Sequence, residues 1–325
     1  MKAIVLAAGL GERMRPLTQV RAKPVLPVLD RPLLHWTLAR LARQGVTDVV
    51  VNLHHLPATV KRALGRGDVF GLRIRYSFEP EILGTAGGAR LVRRFFGNEP
   101  FLIVNGDVLF DVDVRTLLRE HRRSGARATL AVRRNPDPAR YGGLVVDRGG
   151  WVRSIVRAPA PRGVALFTGI HVMDPALLDR LPAGPSDSVR DLYIPLLAEG
   201  GVIRAVRTAG AWYDFGSPTL YLRSHMSLLR SGFRSVRART RLVHPEAAVH
   251  RDADVREAVV GPGCVIGAGA RVSRSVLWDG VHIGAGARVD RSILASRTRI
   301  EAGERISGLA IVPTPDGVVR QGIGS

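Results

Sequence analysis

Residues 3–28 read AIVLAAGLGERMRPLTQVRAKPVLPV, and this stretch decides the fold of the first half of the chain. The apolar run at residues 3–8 ends at Gly9, which is typical of a strand buried on both faces of a parallel sheet. Gly9 and Gly11 then allow backbone N–H groups to approach a phosphate closely. The stretch predicts a buried strand followed by a phosphate-binding loop.

Helical and strand patterns alternate after this loop. They read as helix, strand, helix, strand, helix and strand over residues 33–44, 46–53, 57–64, 72–78, 85–96 and 101–105. This order predicts an α/β fold with a doubly wound, mostly parallel, Rossmann-like sheet. Ligands bind such sheets beyond the carboxyl ends of the strands, where both the glycine loop and Asp107 are expected.

Aliphatic residues recur every 17 positions from about residue 243 onward. The two series are Val249, Ile266, Ile283 and Ile300, and Val255, Val272, Val289 and Ile306. This period fits one three-sided coil of a parallel β-solenoid, and the pattern resembles the hexapeptide repeat of left-handed β-helices. We therefore predict an α/β domain at 1–230, a linker at 231–242 and a β-helix at 243–325.

Composition narrows the class of protein. The 325 residues carry a net charge of +20, yet the 45 arginines are spread along the chain and aromatic residues are only 6%, which argues against a nucleic-acid partner. The single cysteine, Cys264, excludes a disulfide framework and fits a reducing compartment. No apolar run is long enough for a membrane span, so we expect a cytoplasmic protein with no membrane partner.

Three cations near the glycine loop suit a phosphate ligand. Arg13 and Arg15 offer planar donors to phosphate oxygens. Lys23 is one of only three lysines, and its compact ammonium suits the charge of a phosphoryl-transfer transition state. The loop is neither a Walker A motif nor a GxGxxG dinucleotide fingerprint.

The whole stretch resembles the signature of sugar-1-phosphate nucleotidyltransferases. The pattern GxGxRxxPxTxxxxKPxxP runs through Gly9, Gly11, Arg13, Pro16, Thr18, Lys23, Pro24 and Pro27. Further segments are similar to that family. Residues 81–88 resemble its nucleobase loop, 104–107 the strand end whose aspartate holds Mg²⁺, 167–170 its sugar loop, and 212–218 the segment that carries the second metal-binding aspartate. Together with the solenoid, the chain most resembles mannose-1-phosphate guanylyltransferases.

The resemblance implies roles for particular residues. It implies catalytic roles for Arg13, Lys23 and Asp107, and Mg²⁺ ligation by Asp107 and Asp214. Nucleotide contacts are implied for Leu6, Ala7, Ala8, Gly9, Gly11, Arg13, Lys23, Gly84, Thr85, Ala86 and Gly87. Sugar-phosphate contacts are implied for Gly106 and Gly169. The Glu-Lys pair that family members commonly carry before the sugar loop is missing at 155–159, and we expect Arg157, or Arg153 or Arg162, to bind the sugar phosphate instead.

The expected reaction is transfer of a nucleoside monophosphate from a nucleoside triphosphate (NTP) to a sugar 1-phosphate, with GTP and mannose 1-phosphate as the favoured pair. UTP or dTTP with glucose 1-phosphate is the alternative. The missing Glu-Lys pair also leaves open a catalytically weak, regulatory homologue that binds nucleotide sugars. A β-helix acyltransferase would require a histidine such as His250 or His282. The solenoid also makes a homo-oligomer an expectation.

Overall fold

The computed structural model describes residues 1–233 and 237–324, which divide into two compact units. Unit 1 comprises Met1–Gly9 and Leu34–Trp212, and unit 2 comprises Leu10–Leu33 and Tyr213–Ser325. Of the phosphate loop predicted from the sequence, Gly9 belongs to unit 1, and the residues from Leu10 onward belong to unit 2. The predicted domain limits stay a prediction, and residues 234–236 of the predicted linker lie outside the described residues.

Unit 1 is built around a nine-stranded sheet. Its strands are Lys2–Leu6, Asp48–Leu53, Arg73–Phe78, Phe101–Asn105, Ala128–Arg134, Gly143–Val146, Val152–Val156, Ala165–Met173 and Ile203–Arg207. The helices are Leu33–Arg43, Pro57–Leu64, Gly84–Leu91, Arg93–Phe96, Val114–Ser124 and Ile194–Ala198, the last following a π-helical turn at Ser188–Tyr193. The expected helix 85–96 is two helices, because Val92 leaves the helical conformation at φ −106° and ψ 21°.

The first four strands are parallel, as predicted. Lys2–Leu6 pairs on one side with Asp48–Leu53, which pairs in turn with Arg73–Phe78. On its other side Lys2–Leu6 pairs with Phe101–Asn105, so the chain reverses its direction of winding between these two strands. This reversal is the topological switch point at which α/β sheets bind ligands. Ala165–Met173 then adds in antiparallel orientation.

Apolar burial explains why these strands lie at the centre of the sheet. Ile4, Ile103, Leu130 and Met173 are fully buried in one hydrophobic cluster that the helices cover. Strands buried on both faces read as continuous apolar runs, which is why FLIVN at 101–105 was predictable from the sequence.

The second half of unit 2 is a parallel β-helix. Its strands stack in three sheets with a register of 17 residues, so that Val249, Ile266, Ile283 and Ile300 form one ladder. The second predicted series, which begins at Val255, forms another ladder. The strands are Leu242–Val243, Ala248–Val249, Asp254–Arg256, Val259–Val260, Val265–Ile266, Arg271–Ser273, Val276–Leu277, His282–Ile283, Arg288–Asp290, Ile293–Leu294, Arg299–Ile300, Arg305–Ser307, Leu309–Thr314 and Gly317–Gly322. The last of them is antiparallel and closes the stack.

The remaining elements of unit 2 lie outside the β-helix. They are the short strands Pro27–Val28 and Arg31–Pro32, three 3-10 turns between Glu12 and Val25, and the helix Pro218–Ser231, which Ser217 caps through its side chain. The short strand Trp212–Asp214 spans the point where the chain passes from unit 1 to unit 2. In the two ranges that the structure describes, no helix is long and apolar enough to cross a membrane.

Candidate functional site

The predicted site residues fall into two groups, one in each compact unit. In unit 1 they lie at the switch point of the sheet. The backbone N–H of Gly106 donates to the carbonyl oxygen of Leu6 at 2.9 Å. A Cβ at Gly106 would lie 2.5 Å from that oxygen, so a glycine is required for this close approach. The structure therefore brings Leu6, Gly106 and the adjacent Asp107 to the same edge of the sheet.

Gly169 belongs to the same group. It lies at a register shift within the strand Ala165–Met173, with φ +81°. A Cβ at Gly169 would lie 2.7 Å from the side-chain nitrogen of Asn105, which places this glycine beside the strand end that carries Asp107. The indole Nε1 of Trp212 donates to the carbonyl of Thr168 at 3.0 Å. Trp212 therefore stabilises the predicted sugar loop through this hydrogen bond.

A buried carboxyl that the sequence reasoning missed connects the first strand to the predicted nucleobase loop. Glu79 is fully buried, and its Oε1 accepts from Asn52 Nδ2 at 2.7 Å. Its Oε2 accepts from the N–H of Leu83 at 2.9 Å. Asn52 Oδ1 accepts from the N–H of Ala7 at 2.6 Å. A Cβ at Gly88 would lie 2.5 Å from Glu79 Oε1, so this contact requires the second glycine of the Gly-Gly pair.

The predicted nucleobase loop also contacts the segment around Ser186. The N–H groups of Ala86 and Gly87 both donate to the carbonyl of Ser186, at 2.9 and 3.2 Å. The Thr85 hydroxyl contacts Asp187 Oδ2 at 3.0 Å and accepts from the N–H of Ser188. These groups fix the shape of the loop, and their predicted contacts with a nucleotide stay a prediction.

In unit 2 the loop after Leu10 closes on itself. Gly11 has φ +65°, and its carbonyl accepts from the N–H of Met14 at 2.8 Å and from the Thr18 hydroxyl at 2.9 Å. A Cβ at Gly11 would lie 2.8 Å from the Thr18 methyl and 3.3 Å from the Lys23 Cβ. Gly11, Thr18 and Lys23 are therefore packed together, whereas Arg13 is exposed. The Lys23 side chain is only 8% exposed.

Asp214 and Arg157 are two further residues predicted from the sequence. Asp214 lies over Gly216, where a Cβ would be 2.8 Å from Asp214 Oδ1. Arg157 is exposed at the end of the strand Val152–Val156. Arg153 pairs with Asp147, its Nε 2.8 Å from Asp147 Oδ2.

Asp107 and Asp214, the predicted magnesium ligands, are of the residue type that Mg²⁺ prefers. No group of three or more His, Cys, Asp or Glu side chains that could hold a metal occurs in residues 1–233 or 237–324. Mg²⁺ does not need such a cage, because it typically binds one or two carboxylates together with substrate phosphates and water. Asp107 follows a buried strand at the ligand-binding edge of its sheet, which is a suitable position for such a carboxylate.

Two buried side chains hold the segment that follows Lys23. His225 Nε2 accepts from the N–H of Leu29 at 3.2 Å, so its Nδ1 carries the proton and donates to the carbonyl of Tyr221 at 2.8 Å. The Tyr221 hydroxyl donates to the carbonyl of Pro27. Burial raises the pKa of Tyr221 and lowers the pKa of His225 to about 4, so both side chains are neutral.

Comparison with known proteins gives consistent matches over both parts of the chain. A family model described as Nucleotidyl transferase matches residues 2–231, and one described as GMPPB C-terminal domain matches residues 238–320. The mannose-1-phosphate guanylyltransferase of Mycobacterium tuberculosis is 34% identical over 254 residues, covering 76% of this chain and 71% of that protein. The UTP–glucose-1-phosphate uridylyltransferase of Synechocystis is 32% identical over 253 residues, covering 73% of this chain and 65% of that protein.

Solved structures show the same fold. A putative glucose-1-phosphate thymidylyltransferase from Bacillus anthracis superposes with a TM-score of 0.61 at 26% identity, covering 69% of this chain and 93% of that one. The matched region spans about two thirds of the length of the curated relatives given above.

The neutral His225 predicts a pH dependence of stability. The folded pKa is about 4, whereas an unfolded histidine titrates near 6.5. Between these values only the unfolded state binds the proton, so the free energy of unfolding falls as the pH falls from about 6.5 to 4, by up to about 1.4 kcal/mol per pH unit. We expect His225→Phe to reduce this slope in thermal melts, while the buried His171, whose pKa burial lowers to about 3, keeps its own contribution. An unaltered slope in His225→Phe would contradict the assignment.

Proposed function

We propose, from the premise that the chain belongs to the nucleotidyl transferase family, that it transfers a nucleoside monophosphate from an NTP to a sugar 1-phosphate and releases pyrophosphate. The observation that carries the proposal is the closed loop of unit 2, in which Gly11, Thr18 and Lys23 pack together. A glycine in the left-handed region next to a largely buried lysine is an arrangement suited to binding a triphosphate.

The nucleophile needs no general base. A phosphate monoester has its second pKa near 6, so a sugar 1-phosphate is mostly dianionic at neutral pH. One of its oxygens forms a bond to the α-phosphorus as the bond to the leaving pyrophosphate breaks, and the electron pair leaves with pyrophosphate. The remaining tasks for the protein are to align the two substrates and to neutralise charge.

We assign the alignment of the triphosphate and the neutralisation of its charge to residues of the loop. Backbone N–H groups at Gly9 and Gly11 are proposed to orient the triphosphate, and the exposed Arg13 is proposed to contact its oxygens. Lys23 contributes a point charge from a position largely removed from water, where electrostatic stabilisation of the transition state is stronger. Leu6, Ala7, Ala8 and the segment Gly84–Gly87 are proposed to contact the nucleotide through the backbone.

Asp107 and Asp214 are the proposed Mg²⁺ ligands. A bound magnesium ion would neutralise phosphate charge and orient the triphosphate. The contact of Gly106 with Leu6 fixes the backbone beside Asp107, and the Asp214 carboxylate packs over Gly216.

Gly106, Gly169 and Arg157 are the proposed contacts with the sugar phosphate. Arg157 takes this role because Arg153 is paired with Asp147 and because the family's usual lysine is absent from residues 155–159. An arginine offers two parallel donors to a phosphate, which a lysine does not.

GTP and mannose 1-phosphate are the favoured substrates. The match of residues 238–320 to the GMPPB C-terminal domain and the relatives named as mannose-1-phosphate guanylyltransferases support this choice. The Synechocystis relative, named as a UTP–glucose-1-phosphate uridylyltransferase, supports UTP or dTTP with glucose 1-phosphate as the second candidate. A cytoplasmic location and a homo-oligomer formed through the β-helix stay predictions.

A substrate panel tests the proposed reaction. Each of GTP, ATP, UTP, CTP and dTTP is incubated with mannose 1-phosphate or glucose 1-phosphate, with and without Mg²⁺, and pyrophosphate release is measured. We expect the highest kcat/KM for GTP with mannose 1-phosphate and loss of turnover when EDTA removes Mg²⁺. Tight binding of a nucleotide sugar without turnover of any pair would favour a regulatory homologue instead. Binding of coenzyme A with no turnover would favour an acyltransferase.

Variants of the charged residues test their proposed roles. Lys23→Met, Asp107→Asn and Asp214→Asn should each lower kcat by about 10²–10³-fold, the range typical of losing one preorganised electrostatic contact. Lys61→Met and Asp179→Asn are matched controls, since Lys61 lies at the surface near the Tyr76 ring and Asp179 pairs with Arg93 at the surface. Thermal melts check that each variant folds. A Lys23→Met enzyme with unchanged kcat and KM would contradict the role assigned to Lys23.

A further inference from the structure

An arginine of the loop that carries Lys23 forms hydrogen bonds with the β-helix. Arg21 lies two residues before Lys23, and its Nη2 donates to Asp279 Oδ1 at 2.8 Å and to the Ser296 hydroxyl at 3.0 Å. Its guanidinium also lies over the ring of Trp278, 5.0 Å from the centroid. The Ser296 hydroxyl donates to Asp279 Oδ1 at 2.8 Å, so the acceptors of Arg21 are themselves held in place.

The position of the coil that contacts Arg21 is polar in two successive coils. Asp279 and Ser296 are 17 residues apart and occupy the same position in successive coils. The equivalent positions one coil before and one coil after are Pro262 and Pro313, whose side chains accept no hydrogen bond. Among the described residues, this position of the coil therefore carries a polar side chain only at Asp279 and Ser296, and Arg21 donates to both of them.

Trp278 also contacts, through Tyr221, the chain that follows Lys23. Trp278 is only 1% exposed, and its Nε1 donates to the Tyr221 hydroxyl at 3.1 Å. Tyr221 in turn donates to the carbonyl of Pro27. Arg21 and Pro27, before and after Lys23, therefore both contact the hydrogen-bonded pair of Trp278 and Tyr221.

The ion pair is partly removed from water. Burial raises the pKa of the Asp279 carboxyl, but hydrogen bonds from Ser296 and Arg21 and the positive charge of Arg21 outweigh burial and leave the pKa below its usual value. Asp279 is therefore ionised at neutral pH. The side chains of Arg21 and Asp279 are 27% and 42% exposed, so water screens the pair only in part.

We propose that Arg21 is a positioning residue, through which Trp278, Asp279 and Ser296 of the β-helix fix the backbone at Ala22 and Lys23 for catalysis. The inference rests on the proposed role of Lys23. On this proposal, contacts from the β-helix help to set the conformation of the phosphate-binding loop. Since only Ala22 separates Arg21 from Lys23, release of the guanidinium lets the loop sample conformers in which the ammonium is misplaced. The fraction of competent enzyme then falls.

Variants of the full chain at both ends of the ion pair test the proposal. Arg21→Gln and Asp279→Asn should each lower kcat/KM by about 10–100-fold for the NTP and sugar 1-phosphate pair with the highest turnover, as expected for a misplaced group. The double variant should be no worse than either single variant, because both remove the same interaction. Arg21→Lys should recover part of the loss. Arg274→Gln is the matched control, because Arg274 pairs with Asp290 at 2.6 Å on the same β-helix.

Hydrogen exchange of residues 17–29, followed by mass spectrometry, gives a readout that does not depend on turnover. Exchange there should be faster in Arg21→Gln and Asp279→Asn and unchanged in Arg274→Gln, with thermal melts confirming that all three fold. Unchanged exchange, or kcat/KM within twofold of the parent, alongside an inactive Lys23→Met enzyme would overturn the inference alone. Full activity of Lys23→Met would instead overturn the proposed function and the inference with it.

Discussion

The hydrogen bond from the Thr18 hydroxyl to the Gly11 carbonyl is the interaction on which the phosphate-binding loop depends. It closes residues 11–18 into a compact turn. Because Gly11 has no side chain, Thr18 and Lys23 can both pack closely against it. Because the φ of Gly11 is positive, a residue with a Cβ would be strained there as well as crowded. This closure places Thr18 and Lys23 against Gly11, and the contacts of Arg21 hold the backbone just before Lys23.

Charge placement matters more in this chain than total charge. The net charge of +20 comes mainly from 45 arginines, many of which form surface ion pairs with nearby Asp and Glu side chains. Such exposed pairs contribute little to stability. Lys23 differs from them because it is nearly buried beside a glycine turn, where a charge interacts strongly with a phosphate. Arg21 differs because its partners lie on a distant part of the chain.

Regular patterns made much of the fold predictable from the sequence. The helix Pro57–Leu64 and the strand Phe101–Asn105 were predicted to the residue. Proline marked the start of the helix, and a continuous apolar run marked the strand. The 17-residue ladders of the β-helix were predictable for the same reason, since each coil buries the same positions. The family resemblance then identified the candidate residues but not their surroundings.

Contacts between residues far apart in sequence could not be predicted in the same way. Asn52 is a polar residue in the apolar run VVVNL, and Glu79 follows directly after a strand, so each was a detectable signal. Their pairing depends on two strands being neighbours in the sheet, which a pattern within either strand does not reveal. Arg21 and Asp279 are 258 residues apart, and only the three-dimensional structure shows their contact.

The central claim is that the loop from Gly9 to Lys23 binds the triphosphate of a nucleotide. Hydrogen exchange of the whole protein, measured with and without GTP and Mg²⁺, tests this claim most directly. We predict that nucleotide slows exchange of backbone amides in residues 9–23, because bound phosphate oxygens accept hydrogen bonds from these N–H groups. Nucleotide binding at a saturating concentration with no protection of residues 9–23 would contradict the account.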